Sequence, residues 1–530
     1  MSKAMRIAAL AWLSCFSCLA LGVGEAAYAG SSCDHGCRAR GWLLDHRVTV
    51  RLGAADLAKL LAASPSGRQL AQMAGAPACG VEIVYFRYRT IGGAGEATIA
   101  SGALMIPQGE STECSGPRPL MLYAHGTSEY RNDNLADITQ TDPQNGGAVE
   151  GLSVAAMYAA HGYIVAASNY AGYAGSNLPY HPYLNADQQS ADVIDSLRAA
   201  RAVLSGDGSQ AAARENGKLF ITGYSQGGFV ALATHRALQA AGVEVTASAP
   251  GSGPYALAAT ADAISAGEVN LGATLLTTMA VTGYQHAYKN LYRKPSDFFE
   301  SAYAPGIDTL LPNAQTLNTL FKQGRLPSTH LFSRTPPAPQ FASMTPPASP
   351  ALTTPALTPQ FAAGFGDANL VRNTYRLALL EDAAANPDGA FPIATEHLAP
   401  AANPAHPLRQ AFKRNDLRNW VPKAPVLLCG GNADPMVFFF NTQIEQAYWL
   451  TANVKAGLTS VLDVDAPVAL PDDAFAAIKQ GFAKAKAAVA SDAVAAGASD
   501  GGASAVLRSY HAELVASSCM MAARAFFAGF

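Results

Sequence analysis

The pentapeptide Gly223-Tyr224-Ser225-Gln226-Gly227 limits what this chain can fold into more than any other stretch. An apolar, strand-like run, Lys218-Leu219-Phe220-Ile221-Thr222, leads into it, and a helix-like run, Phe229-Val230-Ala231-Leu232-Ala233-Thr234, leads out. Strand, Gly-x-Ser-x-Gly and helix in that order predict a nucleophile elbow. A serine on so sharp a turn needs an unusual backbone conformation. Side chains two positions before and after it would collide across the turn, so glycine is expected at both. The turn holds the hydroxyl out of the sheet at a helix N-terminus, whose dipole favours a developing anion. With 47 glycines in the chain, the three fixed positions alone recur by chance. The flanking strand and helix single out Ser225 as the candidate nucleophile.

Around the elbow the apolar pattern alternates between strand and helix. Runs at 81–88, 98–106, 119–124 and 162–167 read as strands, the last two as fully buried ones. Between 188 and 204 the apolar positions Val193, Ile194, Leu197, Ala200, Val203 and Leu204 recur at helical spacing, with Arg198 and Arg201 on the other side. This rhythm predicts an α/β class with a mostly parallel sheet flanked by helices. Two stretches break it. Residues 255–422 begin Ala/Leu-rich and become Pro/Thr/Ser-rich at 334–359, the pattern of a helical and irregular cap insertion that shapes a substrate pocket. Residues 471–503 offer an amphipathic helix at 472–490 and a Gly/Ala/Ser loop, read as surface decoration. The expected organisation is an N-terminal segment 30–75 with a short helix at 54–63, a sheet core 76–254, the cap 255–422, and the rest of the core 423–530.

A serine hydroxyl is a poor nucleophile near neutral pH and needs a base within hydrogen-bond reach, itself oriented by an acid. Behind an elbow of this kind the chain order is serine, acid, histidine. The acid should follow a buried strand, and Ala424-Pro425-Val426-Leu427-Leu428-Cys429 is one; the loop after it presents Asp434. Only His511 lies beyond Asp434. Asp434 also reads as a cap of a helical run at 436–450, with Pro435 at its first position, and Asp463 and Asp465 are the reserve acids. An oxyanion hole needs two backbone N–H donors. Gln226, directly after the serine, supplies one. Thr127 of His125-Gly126-Thr127, after the 120–124 strand, supplies the other, and His125 shapes that loop by hydrogen bonding.

Hydrophobic residues make up 49% of the chain and charged residues 14%, which describes a packed protein. The net charge of −3 gives no basic face for nucleic acid. Lys3 and Arg6, an apolar stretch at 7–23 and Ala27-Tyr28-Ala29 predict a cleaved export leader over 1–29, with an uncleaved anchor as the rival. No other run is long enough to span a bilayer. Six cysteines follow the leader: Cys33, Cys37, Cys79, Cys114, Cys429 and Cys519. In an exported chain they predict disulfides of undetermined pairing. A bridge between Cys429 and Cys519 would fasten the acid's loop to the base's. Cys33-Asp34-His35-Gly36-Cys37 lacks a second ligand pair for zinc, and no metal or organic cofactor is expected.

Ala124-His125-Gly126-Thr127, Asn169-Tyr170-Ala171-Gly172-Tyr173, His181-Pro182-Tyr183-Leu184, the elbow and Ala433-Asp434-Pro435-x-Val437 stand in the order seen in α/β-hydrolases. Together they resemble the secreted lipase and esterase branch, including secretory lipases with a large cap, over roughly residues 80–255 and 420–525. The resemblance implies a Ser-Asp-His triad, carried over to Ser225, Asp434 and His511, acting on carboxylic esters of small-molecule, lipid or polymeric kind. Asn169 departs from the Asp-Tyr-x-Gly pattern, and the Pro/Thr-rich part of the cap matches nothing familiar. A peptidase or amidase, an acyltransferase, and a non-catalytic binding protein on the same scaffold stay open as alternatives.

Overall fold

The computed structural model describes residues 39–140, 144–206, 213–469 and 471–530. The expected leader and the Cys33 to Cys37 cluster lie outside these residues. The strands are β1 (Leu43–Leu52), β2 (Gly80–Ile91), β3 (Ala97–Gln108), β4 (Gly116–Ala124), β5 (Ile164–Ser168), β6 (Ala213–Tyr224), β7 (Ala247–Gly251), β8 (Val426–Gly430) and β9 (Thr459–Asp463). They form one nine-stranded sheet in the order β1-β2-β3-β5-β4-β6-β7-β8-β9. The β1–β2, β2–β3 and β3–β5 pairs are antiparallel, and every pairing from β5 through β9 is parallel.

Neighbouring residues of a strand face opposite sides of the sheet. Leu120, Leu122 and Ala124 of β4 accordingly join one apolar cluster, and Met121 and Tyr123 join another. Both faces are covered, which is why β4 and β5 read as unbroken apolar runs. The helices before the cap are α1 (Ala54–Ala62), α2 (Pro65–Ala74), α3 (Gly146–Met157), α4 (Ala186–Ser205) and α5 (Gln226–Ala240). The N-terminal segment holds the expected short helix and also contributes β1, an edge strand that ends in the short alternation Val48-Thr49-Val50-Arg51-Leu52.

The chain leaves the sheet after β7 and returns at β8. Between them lie α6 (Leu257–Ser265), α7 (Ala273–Tyr288), α8 (Leu317–Lys322), α9 (Thr358–Ala363), α10 (Asn373–Ala385) and α11 (Pro407–Asn415), joined by long irregular stretches. Buried arginines clamp this cap. Arg409 meets Asp262 at 2.7 Å and Asp382 at 2.8 Å, and Arg418 meets Asp388 and Asp416 at 2.8 Å each. Beyond β8 come α12 (Phe440–Thr451), α13 (Ala476–Ala495), α14 (Ala503–Ser509) and α15 (Ala516–Phe527), with a π-helical turn, Tyr510–Val515, between the last two. The strand order turns back on itself around β4, flanked by β5 and β6. Open sheets of this kind bind ligands outside the strands' carboxyl ends at such a point.

Candidate active site

Ser225 stands between β6 and α5 with φ 59° and ψ −124°, the strained backbone the elbow requires. The crowding around it differs in detail from the expected clash between side chains. A Cβ on Gly223 would lie 2.4 Å from the Gly227 carbonyl oxygen and 2.5 Å from that of Ala124. A Cβ on Gly227 would lie 1.9 Å from the Ala124 oxygen. The glycines therefore let the elbow sit against the backbone of β4.

Ser225 Oγ lies 2.8 Å from His511 Nε2, and His511 Nδ1 lies 2.7 Å from Asp434 Oδ2. A carboxylate only accepts, so Nδ1–H donates to Asp434 and Nε2 is left to accept the serine hydroxyl. Asp434 follows β8 and uses both oxygens: Oδ1 accepts the N–H groups of Met436 at 2.9 Å and Val437 at 3.0 Å. It thus caps a turn, and the next helix starts only at Phe440 rather than at the expected 436. His511 lies on the π-helical turn, which places one extra residue in the helix and is common at functional sites. Tyr224, inside the elbow, donates to the His511 backbone oxygen at 2.6 Å. Cys429 and Cys519 are bridged, joining the end of β8 to α15, and Cys79 is bridged to Cys114.

The reserve acids serve the same loops without meeting His511. Asp463 accepts the Asn432 backbone N–H at 3.1 Å and its side-chain amide at 2.8 Å. Asp465 accepts the Tyr510 hydroxyl at 2.7 Å and pairs with Lys486 of α13. Tyr510 in turn accepts the Ala433 N–H at 3.1 Å, and Phe482 of α13 packs edge-on against its ring. The 471–503 stretch, read as decoration, therefore reaches the acid loop through side chains that carry no local signature.

Gln226 is the first residue of α5, so its N–H has no partner within the helix. Its side-chain amide donates to His181 Nε2 at 2.7 Å, while His181 Nδ1 faces the Ala171 carbonyl oxygen at 2.9 Å. Burial holds the His181 imidazole down to about 3, so the ring is neutral and Nε2 accepts. A Cβ on Gly126 would meet the Tyr224 oxygen only at 3.7 Å, an ordinary contact, so the close approach of the β4 loop to the elbow does not depend on glycine there. The Thr127 hydroxyl lies 2.9 Å from the Tyr183 hydroxyl. Asn169 accepts the Leu135 N–H and donates to Ser101 and Asn134, so the amide is used on both sides. An aspartate would have no donor for that second role.

A largely apolar cavity opens beside Ser225 and Gln226. Cap residues supply most of its wall: Leu257, Ala261 and Ile264 from α6, Leu276 and Ala280 from α7, and Phe412 from α11. The cap also grips the acid loop, since Asn270 donates to the Met436 oxygen at 2.7 Å and the Leu271 N–H to the Pro435 oxygen at 2.8 Å. Among the described residues no group of His, Cys, Asp and Glu is arranged to hold a metal ion, and no helix is long and apolar enough to cross a membrane.

No protein-family model matches this sequence, and no curated protein does. Solved structures do. The chain is similar to the rice cell wall degrading esterase LipA from Xanthomonas oryzae in a ligand-bound form, at 29% identity and TM-score 0.60, over 80% of this chain and 91% of that one. A single-substitution variant of that esterase matches at 30% identity and TM-score 0.59 over the same shares. A Legionella pneumophila structure at 18% identity and TM-score 0.56 shares the fold. Fold, topology and these relatives agree: the chain belongs to the α/β-hydrolase superfamily, within its lipase and esterase branch, and is a carboxylic ester hydrolase.

Proposed function

We propose that this hydrolase works through an acyl-enzyme formed on Ser225, with His511 as the base and Asp434 as the residue that orients it. The continuous hydrogen-bond relay from Ser225 Oγ to His511 to Asp434, at 2.8 and 2.7 Å, carries this reading. Ser225 Oγ attacks the ester carbonyl carbon while its proton passes to His511 Nε2. The tetrahedral oxyanion is held by the N–H groups of Gln226 and Thr127. Collapse expels the alcohol, which takes the proton from His511. Water then attacks the acyl group by the same route, releasing the acid and restoring Ser225. Asp434 keeps the imidazole in the tautomer that accepts at Nε2. The apolar cavity walled by α6 and α7 suits the hydrocarbon part of the ester. Export of the protein is supported by the leader pattern together with two disulfides among the described residues.

Replacing Ser225 by alanine tests the assignment on a short p-nitrophenyl ester. Turnover should fall by about three orders of magnitude or more, and labelling by a fluorophosphonate probe should vanish. Turnover within tenfold of the parent would reject it.

A further inference from the structure

An oxyanion hole works only if its donors are aimed before charge develops. Gln226 N–H is aimed by being the first amide of a helix. Thr127 has no such frame, because it follows β4 in an irregular loop. Its orientation is set instead by the two peptide units before it, and side-chain hydrogen bonds hold them. In the unit between His125 and Gly126, the carbonyl oxygen accepts the Tyr170 hydroxyl at 3.1 Å. The N–H of that same unit donates to Glu150 Oε1 at 3.1 Å. In the next unit, the Gly126 oxygen lies 2.7 Å from His125 Nδ1. A trans peptide is planar, with C=O and N–H pointing opposite ways. Fixing the Gly126 oxygen from the ring side therefore sends the Thr127 N–H the other way.

Glu150 comes from another element, α3, and burial raises its carboxyl above the usual carboxylate range. The same Oε1 also accepts the Tyr123 hydroxyl at 2.8 Å, which anchors the carboxylate to β4 itself.

We propose that Glu150 is a positioning residue for the reaction, holding the Gly126 amide so that the Thr127 N–H is presented to the oxyanion. The proposal rests on the reading of Ser225 and Thr127 given above. Glu150 touches no reacting atom; its effect passes through the loop. Losing an oxyanion donor outright costs about 10²- to 10³-fold in turnover. Misaiming one that is still present should cost less, about 10- to 100-fold, and should fall on kcat because the ground-state ester does not use the hole.

The test is steady-state hydrolysis of p-nitrophenyl acetate by the parent and by Glu150→Ala, Glu150→Asp and Glu150→Gln, with thermal unfolding of each. Glu150→Ala removes the acceptor. Glu150→Asp keeps the charge and withdraws it by one methylene, which gives a second variant should the alanine protein not fold. Both should lose about tenfold or more in kcat with KM within about threefold. Glu150→Gln retains an oxygen that can accept from Gly126, so it should recover to within about threefold of the parent. A folded alanine or aspartate variant with kcat within twofold of the parent overturns the proposal. So does a loss in Glu150→Gln as deep as in Glu150→Ala, which would make the charge or the packing the cause. Ser225→Ala assayed in parallel separates the two ideas. If it stays active, the Ser225 reading fails; if it is inert while Glu150→Ala runs at the parent rate, only the positioning role fails.

Discussion

The sheet and the cap of this molecule hold their parts in place by different physics. In the sheet, apolar side chains on both faces and regular strand pairing do most of the work, and buried polar groups such as Asn169 and His181 are neutral and hydrogen-bonded. The cap has few long helices, and besides its apolar clusters it relies on the buried arginines Arg376, Arg409 and Arg418. Arg376 donates to the Ser265 and Met344 oxygens and lies over the rings of Phe332 and Phe365. Arg418 sits between Asp388 and Asp416, and Asp416 also accepts the Ala258 N–H at the start of α6. A charged clamp tolerates irregular backbone because it needs a few well-placed atoms and no ladder. The lesson is a division of labour. Ser225 and Asp434 follow the ends of β6 and β8, and most of the wall of the cavity beside Ser225 stands on the cap helices α6, α7 and α11.

Three measurements can break or sharpen this contrast. The largest effect should come from the sheet side. Asp434→Asn keeps the oxygen that accepts the Met436 and Val437 amides but no longer fixes the His511 tautomer. Turnover of a short ester should drop by about 10³- to 10⁴-fold, with an unfolding midpoint close to the parent's. A large fall in that midpoint would mean that Asp434 holds the cap as much as it serves the chemistry.

The next effect belongs to the cap. Arg418→Ala leaves Asp388 and Asp416 buried without their cation, and breaking a buried pair in this way costs about 3–5 kcal/mol. Urea unfolding should show it as a lower midpoint. A loss under about 1 kcal/mol would show that the clamps are incidental and that apolar packing holds the cap as it holds the sheet.

The smallest effect concerns selectivity. Ala261→Phe fills the cavity from α6, and one methylene in an apolar pocket is worth about 1–3 kcal/mol of discrimination. On p-nitrophenyl octanoate kcat/KM should fall about tenfold or more, while on the acetate it should stay within threefold. Equal losses on both esters would move the acyl chain out of this cavity.

How far the chain could be read differs along the same line. Ser225, Asp434 and His511 were legible because each is tied to a local pattern: a strand, a turn with fixed residue types, and an order along the chain. The Gly126-Thr127 loop was legible for the same reason. Glu150 and Tyr510 were not, because their partners lie on other elements: Gly126 of the β4 loop for Glu150, and Ala433 and Asp465 for Tyr510. The edge strand β1 had only a short alternation to announce it, Val48-Thr49-Val50-Arg51-Leu52, after a polar start at Asp45-His46-Arg47. The helix expected from 436 starts four residues later, after the turn that Asp434 caps.

By itself the sequence determined the fold class and singled out Ser225, His511 and a short set of acids as candidates for one relay. Those depend on periodicity and turn chemistry, which act over a few residues. Only the tertiary structure decided which acid meets the imidazole, that Cys429 pairs with Cys519, which cap helices wall the cavity, and what holds the β4 loop. Those are contacts between distant segments, and their geometry exists only once the sheet has brought its strand ends together.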